Sequence, residues 1–495
     1  MFGGAPNVVA HLSASGALCF ANNADVVLDR YNVGGTALLC IEMARRGVER
    51  ALTHKYVEDE IAAEFPQHWQ GDVFFYDLGV DWQGRASLFP LARANGRCPV
   101  LAADKSALNA LSGDAKAIAK TIDGAWSAQV YRASEFLSFG QKQKPPQTLT
   151  EFLDWFERSV PGQRDAALDT MVNDYPDLTA IFVVAKNGCV GISVDLPLKL
   201  REGLQRRQGL RHYLSHNDIA VTRYSGTRID EHFLYGRNMI EAPLLKKRIA
   251  LIGCGAIGGH LAKLLLHTGA GHGGGTLLLL DTEVLAPGNV GRHFLGPTHI
   301  GEFKALAVRE ELLRMFPDAV VQATTEEAIT YFSNLWGYDL LIDATGEEAL
   351  SIAINARLVG RRLQSSDSPD ALYVRLFGNG AAAQALMVDG SKNACFKCLR
   401  PDMSQPARYD PMRPDAPIIQ QVATCGEGLF TPYAISAPGI AAALALQSVL
   451  DWNSGKAQYH LRTARIDHDS TVDVAPKNPP RSKQCPSCAA LAQVV

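Results

Sequence analysis

The sequence lacks an apolar run of the ~20 residues that a membrane-crossing helix needs. Its best candidates, around 249–266 and 440–450, are shorter or are interrupted by glycine, His260 and Lys263. Residues 1–10 lack the basic stretch followed by an apolar one that marks a secretory leader. Charge of one sign is nearly absent in excess: 48 Lys and Arg stand against 51 Asp and Glu, a net charge of −3. That balance argues against a protein held on duplex nucleic acid by phosphate contacts. There is no repeat and no low-complexity tract. We therefore expect a cytoplasmic protein with neither membrane nor nucleic acid as partner. The ten cysteines fit a reducing compartment better than a disulfide framework, since 495 residues can build a core without staples.

One hydrophobic core rarely serves more than ~250–300 residues, so two or three domains are expected. The pattern divides into 1–69, 70–225 and 226–495. The first segment reads as a strand-like run at 8–12, then helical stretches at 36–50 and 57–65. The middle segment alternates strands (73–76, 180–184, 191–195) with helices (115–122, 148–159), around a Lys- and Pro-bearing loop at 141–147. From about residue 227 strands, turns and helices alternate as in a parallel doubly wound sheet. Strands are expected at 248–253, 276–280 and 339–343, and helices at 257–266, 304–316 and 435–450. The fold class is thus α/β, with a Rossmann-like sheet in the C-terminal part.

The run Gly253-Cys254-Gly255-Ala256-Ile257-Gly258 places GxGxxG directly after a strand and at the start of a helix. A Cβ in such a turn would keep phosphates from the backbone, and the helix N-terminus offers free N–H groups with a partial positive charge. Asp281 closes the next strand, where a carboxylate can accept hydrogen bonds from ribose hydroxyls. These features suit NAD and ATP about equally. Arg292 and Lys304, which follow shortly, favour ATP: attack at an α-phosphate builds negative charge that fixed cations stabilise, and hydride transfer needs none there.

This combination, GxGxxG with Asp281, Asn289, Arg292 and Lys304 at these distances, resembles the superfamily that activates ubiquitin and the sulfur carriers of thiamin and molybdopterin synthesis. The resemblance spans roughly 228–495. It implies that Asp281 holds the ribose, that Asn289, Arg292 and Lys304 contact phosphates, and that Asp343 binds Mg²⁺. It further implies that Arg237 reaches ATP across a homodimer.

Cys395-Phe-Lys-Cys398 and Cys485-Pro-Ser-Cys488 are two CxxC pairs. Each can present two thiolates to one tetrahedral Zn²⁺. Four thiolates leave no open position, so the metal would be structural. Cys425 lies outside both pairs, in Thr424-Cys425-Gly426-Glu427-Gly428 ahead of an alanine-rich helix. A lone cysteine is more often inert than reactive, but a glycine-rich loop can expose a nucleophilic thiol. In the resembling family the thioester-forming cysteine sits after the first CxxC and before this helix, which implies that role for Cys425.

Near the start, His11-Leu-Ser-Ala-Ser-Gly16-Ala-Leu-Cys19 resembles the active-site stretch of ubiquitin-conjugating enzymes. Cys19 would be the acceptor thiol, and His11 would stand where a polar group stabilises the oxyanion. The stretch begins so early that only a truncated or degenerate α+β conjugating-like segment is expected. A conjugating-like segment, an α/β middle domain and an activating domain in one chain resemble the fused enzymes of bacterial antiviral operons, which adjoin cyclic-oligonucleotide synthases (CBASS). That likeness implies a protein substrate with a flexible C-terminus, either a ubiquitin-like protein or such a synthase. The rival readings are an NAD(P)-dependent oxidoreductase, a sulfur-carrier adenylyltransferase and a non-catalytic scaffold.

Overall fold

A computed structural model describes residues 29–51, 62, 65–79, 81–93, 96–111, 124–139, 144–173, 178–194, 207–365, 367–390, 392–422 and 429–489. The chain divides into two compact units, Met1–Asp230 and Glu231–Val495. Among the described residues, no helix is long and apolar enough to cross a membrane.

Among the described residues, the first unit contains helix α1 (Val33–Ala51) and a seven-stranded closed barrel. Its strands are β1 (Asp72–Asp77), β2 (Gly84–Arg93), β3 (Gly96–Ala102), β4 (Trp126–Arg132), β5 (Leu178–Ala185), β6 (Gly188–Val194) and β7 (Val221–Arg228). Helices α2 (Leu149–Ser159) and α3 (Arg164–Asn173) precede β5, and α4 (Arg207–His216) precedes β7. The order around the barrel is β1-β3-β2-β4-β5-β6-β7, and β7 pairs with β1 to close it. Because side chains alternate along a strand, β5 feeds two cores. Ala180, Phe182 and Val184 join Phe74, Leu88, Leu101 and Val130 in one cluster drawn from all seven strands. Ile181 and Val183 pack outward with Phe152, Phe156 and Leu168 of α2 and α3. Burial on both faces is why this strand reads as an unbroken apolar run.

Helix α2 forms where it does for two local reasons. Leu149, Phe152, Leu153 and Phe156 fall on one face and are buried. Thr148 caps the start: its hydroxyl accepts from the Glu151 N–H at 3.3 Å, and the Glu151 carboxylate accepts from the Thr148 N–H at 3.3 Å.

The strands expected at 73–76 and 180–184, all described residues of that at 191–195, and the 148–159 helix are present. The barrel itself was not anticipated, because β2, β3, β4 and β7 went unread. β7, Val-Thr-Arg-Tyr-Ser-Gly-Thr-Arg, places only Tyr224 fully inside and so carries no apolar signal. The expected helix at 115–122 and the strand at 8–12 lie outside the described residues, as does nearly all of the 57–65 helix.

The second unit contains a seven-stranded sheet in the order β10-β9-β8-β11-β12-β13-β16. Its strands are β8 (Arg248–Ile252), β9 (Thr276–Leu280), β10 (Val321–Thr324), β11 (Leu340–Asp343), β12 (Asp370–Phe377), β13 (Ala382–Val388) and β16 (Leu461–Arg465). A separate two-stranded ribbon pairs β14 (Gln421–Val422) with β15 (Leu429–Phe430). The five strands from β10 to β12 run parallel, and β13 and β16 add antiparallel. Its main helices are α5 (Ala256–His267), α6 (Lys304–Met315), α7 (Glu348–Gln364) and α8 (Ser436–Asn453). Leu251, Leu279 and Ile342 face α5, α6 and α8; Ile252, Leu280 and Leu341 face α7. Helices on both faces account for the continuously apolar β8, β9 and β11.

In sequence order the parallel strands run 3-2-1-4-5, the doubly wound arrangement. The chain leaves β8 towards β9 on one side, and β11 later pairs with β8 on the other. The connections therefore diverge at the carboxyl end of β8 and leave a crevice there.

Replacing Thr148 by Ala should lower the stability of the first unit by about 1 kcal/mol. Chemical denaturation followed through tryptophan fluorescence checks this, since Trp155 is buried on the same helix. An unchanged midpoint would show that the capping pair contributes nothing.

Candidate active site

The crevice at the end of β8 is a cleft of about 730 Å³, within the ~300–1,000 Å³ usual for small-molecule sites. It is walled by the glycine turn, by Asp281–Glu283 after β9, by Glu326–Ile329 after β10 and by Ala344–Glu347 after β11. Leu376, Gly378, Thr431 and Tyr433 complete it.

The three glycines of the turn are required for different reasons. Gly253 has φ +89°, and a Cβ there would stand 2.9 Å from the Thr345 backbone. A Cβ on Gly258 would lie 1.8 Å from the Gly253 carbonyl oxygen. At Gly255 an added Cβ meets no protein atom within 4 Å. Packing does not explain that glycine, whereas close approach of a ligand does. Gly255 is also the N-cap of α5 and offers no side chain to its first N–H groups, which stay available to an anion.

Asp281 binds this turn from the neighbouring strand. Its carboxylate accepts from the Cys254 N–H at 2.7 Å and from the Glu283 N–H at 2.8 Å. Burial pushes its carboxyl above the usual carboxylate range, against the pull of these bonds and of Lys304. Lys304 is buried and ion-paired with Glu283. Arg292 donates to the Gly288 carbonyl at 3.0 Å and lies over the Tyr433 ring, 5.2 Å from its centroid. Asn289 accepts from the Ala286 N–H at 3.0 Å, holding the turn that carries Arg292.

The expected residues thus fall into groups. Gly253, Gly255 and Asp281 line the cleft. Lys304 and Arg292 sit behind it, each touching a lining residue. Asp343 is beside the turn in sheet register, paired with Ile252, but its carboxylate faces inward. It accepts from the Thr345 N–H at 3.1 Å, the Thr345 hydroxyl at 2.7 Å and the Ser351 hydroxyl at 2.5 Å, and it is 3% exposed. Arg237 is exposed, over the Phe233 ring, and does not line the cleft. Cys425, Cys19 and His11 lie outside the described residues.

Sequence reasoning missed several residues of the cleft. Tyr433 and Thr431 come from far along the chain and carry no local motif. Thr345, in the Asp343-Ala-Thr345 run that follows β11, is the surface against which Gly253 packs. The acidic character of the wall was also unseen: Asp281, Glu283, Glu326, Glu327 and Glu347 line it, and among the described residues no Lys or Arg does.

The two CxxC pairs converge. All four sulfurs lie within 4.8 Å of one another and are buried. The Cys395–Cys398, Cys395–Cys485 and Cys398–Cys488 separations are 3.8, 3.7 and 3.2 Å. A tetrahedral Zn²⁺ with ~2.3 Å bonds has sulfur–sulfur edges of about 3.8 Å, so the group fits this ion. The Ser482 N–H donates to the Cys398 sulfur at 3.4 Å, orienting one prospective ligand. Nearby, His460 bridges Asp389 and Asn478, each at 2.8 Å, and fastens the same tail segment to the end of β13.

A parallel 3-2-1-4-5 sheet with an unobstructed glycine turn at its reversal point defines a Rossmann-like nucleotide-binding domain. Comparison with known proteins narrows that class. The ThiF family model matches residues 237–487, and the chain belongs to the ThiF family. It is accordingly an adenylating enzyme, and the hydride-transfer reading falls. The chain is 30% identical to the ATP-dependent ubiquitin transferase-like protein Cap2 of Pseudomonas aeruginosa, over 98% of this chain and 87% of that protein. It is 27% identical to the protein of the same description from Escherichia coli, over 70% of this chain and 60% of that one. Among solved structures, the crystal structure of E. coli MccB with ATP matches at 16% identity and a TM-score of 0.37, over 57% of this chain and 73% of that one.

Two outcomes follow from this geometry. Gly255→Ala should fold with an unchanged melting temperature yet bind ATP at least about tenfold more weakly, as read by calorimetry. Gly258→Ala should instead lose stability, because its Cβ collides with backbone. Equal effects of the two on ATP binding and on melting would contradict the assignment. For the cysteine cluster, metal analysis should find about one zinc per chain, and Cys485→Ser should lower that content. Equal zinc in both proteins would remove Cys485 from the site.

Proposed function

We propose that this enzyme uses ATP to adenylate the C-terminal carboxylate of a protein and then captures the acyl group on Cys425. The observation that supports this most directly is the Gly255 position, open to a ligand at a helix start and flanked by Asp281, Arg292 and Lys304.

In the first step a carboxylate oxygen attacks the α-phosphorus of ATP and pyrophosphate leaves. Asp281 orients the ribose. Asn289 holds the turn that brings Arg292 to the phosphates, and Lys304 adds charge from behind Glu283. Among the described residues, five carboxylates and no cation line the cleft, so a triphosphate there needs counter-charge from outside its walls. Arg292, Lys304, Mg²⁺ and Arg237 of a second protomer would supply it. Arg237 is exposed, as action across a homodimer requires. The residue expected to hold Mg²⁺ is Asp343. Its oxygens accept from Thr345 and Ser351, and further carboxylates line the cleft, where the ion would meet the phosphates. When bound, it would neutralise phosphate charge.

In the second step the Cys425 thiolate attacks the acyl carbon and AMP leaves. Transfer to Cys19, with His11 stabilising the oxyanion, and then to an amine would complete protein conjugation. The order is downhill, from mixed anhydride to thioester to amide. We take the substrate to be a protein with a flexible C-terminus, a ubiquitin-like protein or a cyclic-oligonucleotide synthase, and the setting to be antiviral defence in the cytoplasm. Zn²⁺ on Cys395, Cys398, Cys485 and Cys488 would be structural. Residues 1–69, 70–225 and 226–495 would serve as conjugating-like, middle and activating parts.

Incubation with ATP and candidate donor proteins should give an adduct that reducing agent removes. Cys425→Ala should abolish the adduct while ATP–pyrophosphate exchange persists. An adduct that survives in Cys425→Ala would assign the thioester elsewhere, and absence of exchange with every donor would remove the adenylation reading.

A further inference from the structure

His293 follows Arg292 and is 5% exposed. Its two ring nitrogens are both engaged. Nδ1 accepts a hydrogen bond from the Leu295 N–H at 3.0 Å. A nitrogen that accepts from a backbone N–H carries no proton, so in the neutral ring the proton is on Nε2. Nε2 lies 2.7 Å from the carbonyl oxygen of Cys254, the second residue of the glycine turn, and donates to it. Burial pushes the imidazole down to about 4, with Lys304, His260 and Arg292 nearby acting in the same direction, so the ring stays neutral in ordinary buffers. The segment is seated closely: a Cβ on Gly259 would stand 2.9 Å from the Phe294 Cβ.

The consequence comes from peptide geometry. In a trans peptide the C=O and the following N–H point in opposite directions. Holding the Cys254 carbonyl towards His293 therefore turns the Gly255 N–H the other way. Gly255 lines the cleft, and among the described residues beyond its chain neighbours no atom lies within 4 Å of where its Cβ would be.

We propose that His293 is a positioning residue for the nucleotide: it fixes the Cys254–Gly255 peptide so that the Gly255 N–H is presented to a phosphate. One imidazole then sets the phosphate donor and, through the adjacent residue, the cation Arg292. The inference rests on the adenylation reading but concerns nucleotide binding alone. It assigns His293 no contact with substrate and no proton transfer.

The test uses the full chain, with ATP and with adenosine as calorimetric probes. His293→Leu keeps the bulk but offers neither donor nor acceptor. It should weaken ATP binding about tenfold, the loss expected for one charge-assisted hydrogen bond. Adenosine, which lacks phosphates, should bind as to the wild type. His293→Gln, with an amide donor and a carbonyl acceptor, should restore ATP binding. His293→Met, which cannot donate, should behave as the leucine variant does and keeps the test open if that variant fails to fold. Unchanged ATP affinity in the apolar variants, parallel loss of ATP and adenosine, or no rescue by Gln would each overturn the assignment. A wild-type chain that binds adenosine and ATP alike would instead count against the phosphate-binding turn itself.

Discussion

The second unit depends on one close approach of backbone to backbone, where Gly258 passes the carbonyl of Gly253 at a distance that admits no side chain. That contact lets helix α5 start directly at the end of β8. It brings Gly253 against Thr345, and so joins the first and fourth strands of the doubly wound order at their carboxyl ends. Asp281 then closes the third side by accepting from the Cys254 N–H. Three strands thus converge on a turn of six residues, and the cleft is the space their diverging connections leave. A larger residue at 258 would push helix and strand apart and remove the cleft as a whole.

The electrostatics of the cleft follow from which groups reach it. Carboxylates line the wall, while Arg292 and Lys304 stand one layer back, held by a tyrosine ring and by a glutamate. Such a wall carries negative charge where the proposed nucleotide would bring more, so the two cations one layer back are the nearest fixed counter-charge. The buried Asp343 belongs to a different layer. Its hydroxyl partners on β11's exit and on α7 make it a brace for the strand–helix connection, beside the nucleotide turn rather than inside it.

Most of this second unit was legible in the sequence. Strands covered on both faces are written as apolar runs, so β8, β9 and β11 could be placed within a residue or two. The glycine turn and the CxxC pairs are local in sequence, and their spacing carried over directly into geometry. What could not be read was what the fold assembles from distant parts, such as Tyr433 over Arg292 or Thr345 against Gly253. The barrel of the first unit was hidden for another reason. Strands such as β7 turn most of their side chains away from the fully buried interior, and β2 carries Pro90 in its middle, so neither gives the run of β-branched residues that marks a strand. His293 was passed over because a histidine after an arginine has no spacing signal. Only its two hydrogen bonds reveal a purpose.

The four-cysteine cluster has a consequence for how the chain is made. Its first two sulfurs leave the ribosome with β13, but the partners at 485 and 488 emerge only after α8 and β16. Until then Cys395 and Cys398 are a pair of bare thiols on a half-built domain, exposed to oxidation and to capture of stray metal. The cluster can therefore be completed only at a late moment of synthesis, once the C-terminal tail has emerged and folded back onto the loop after β13.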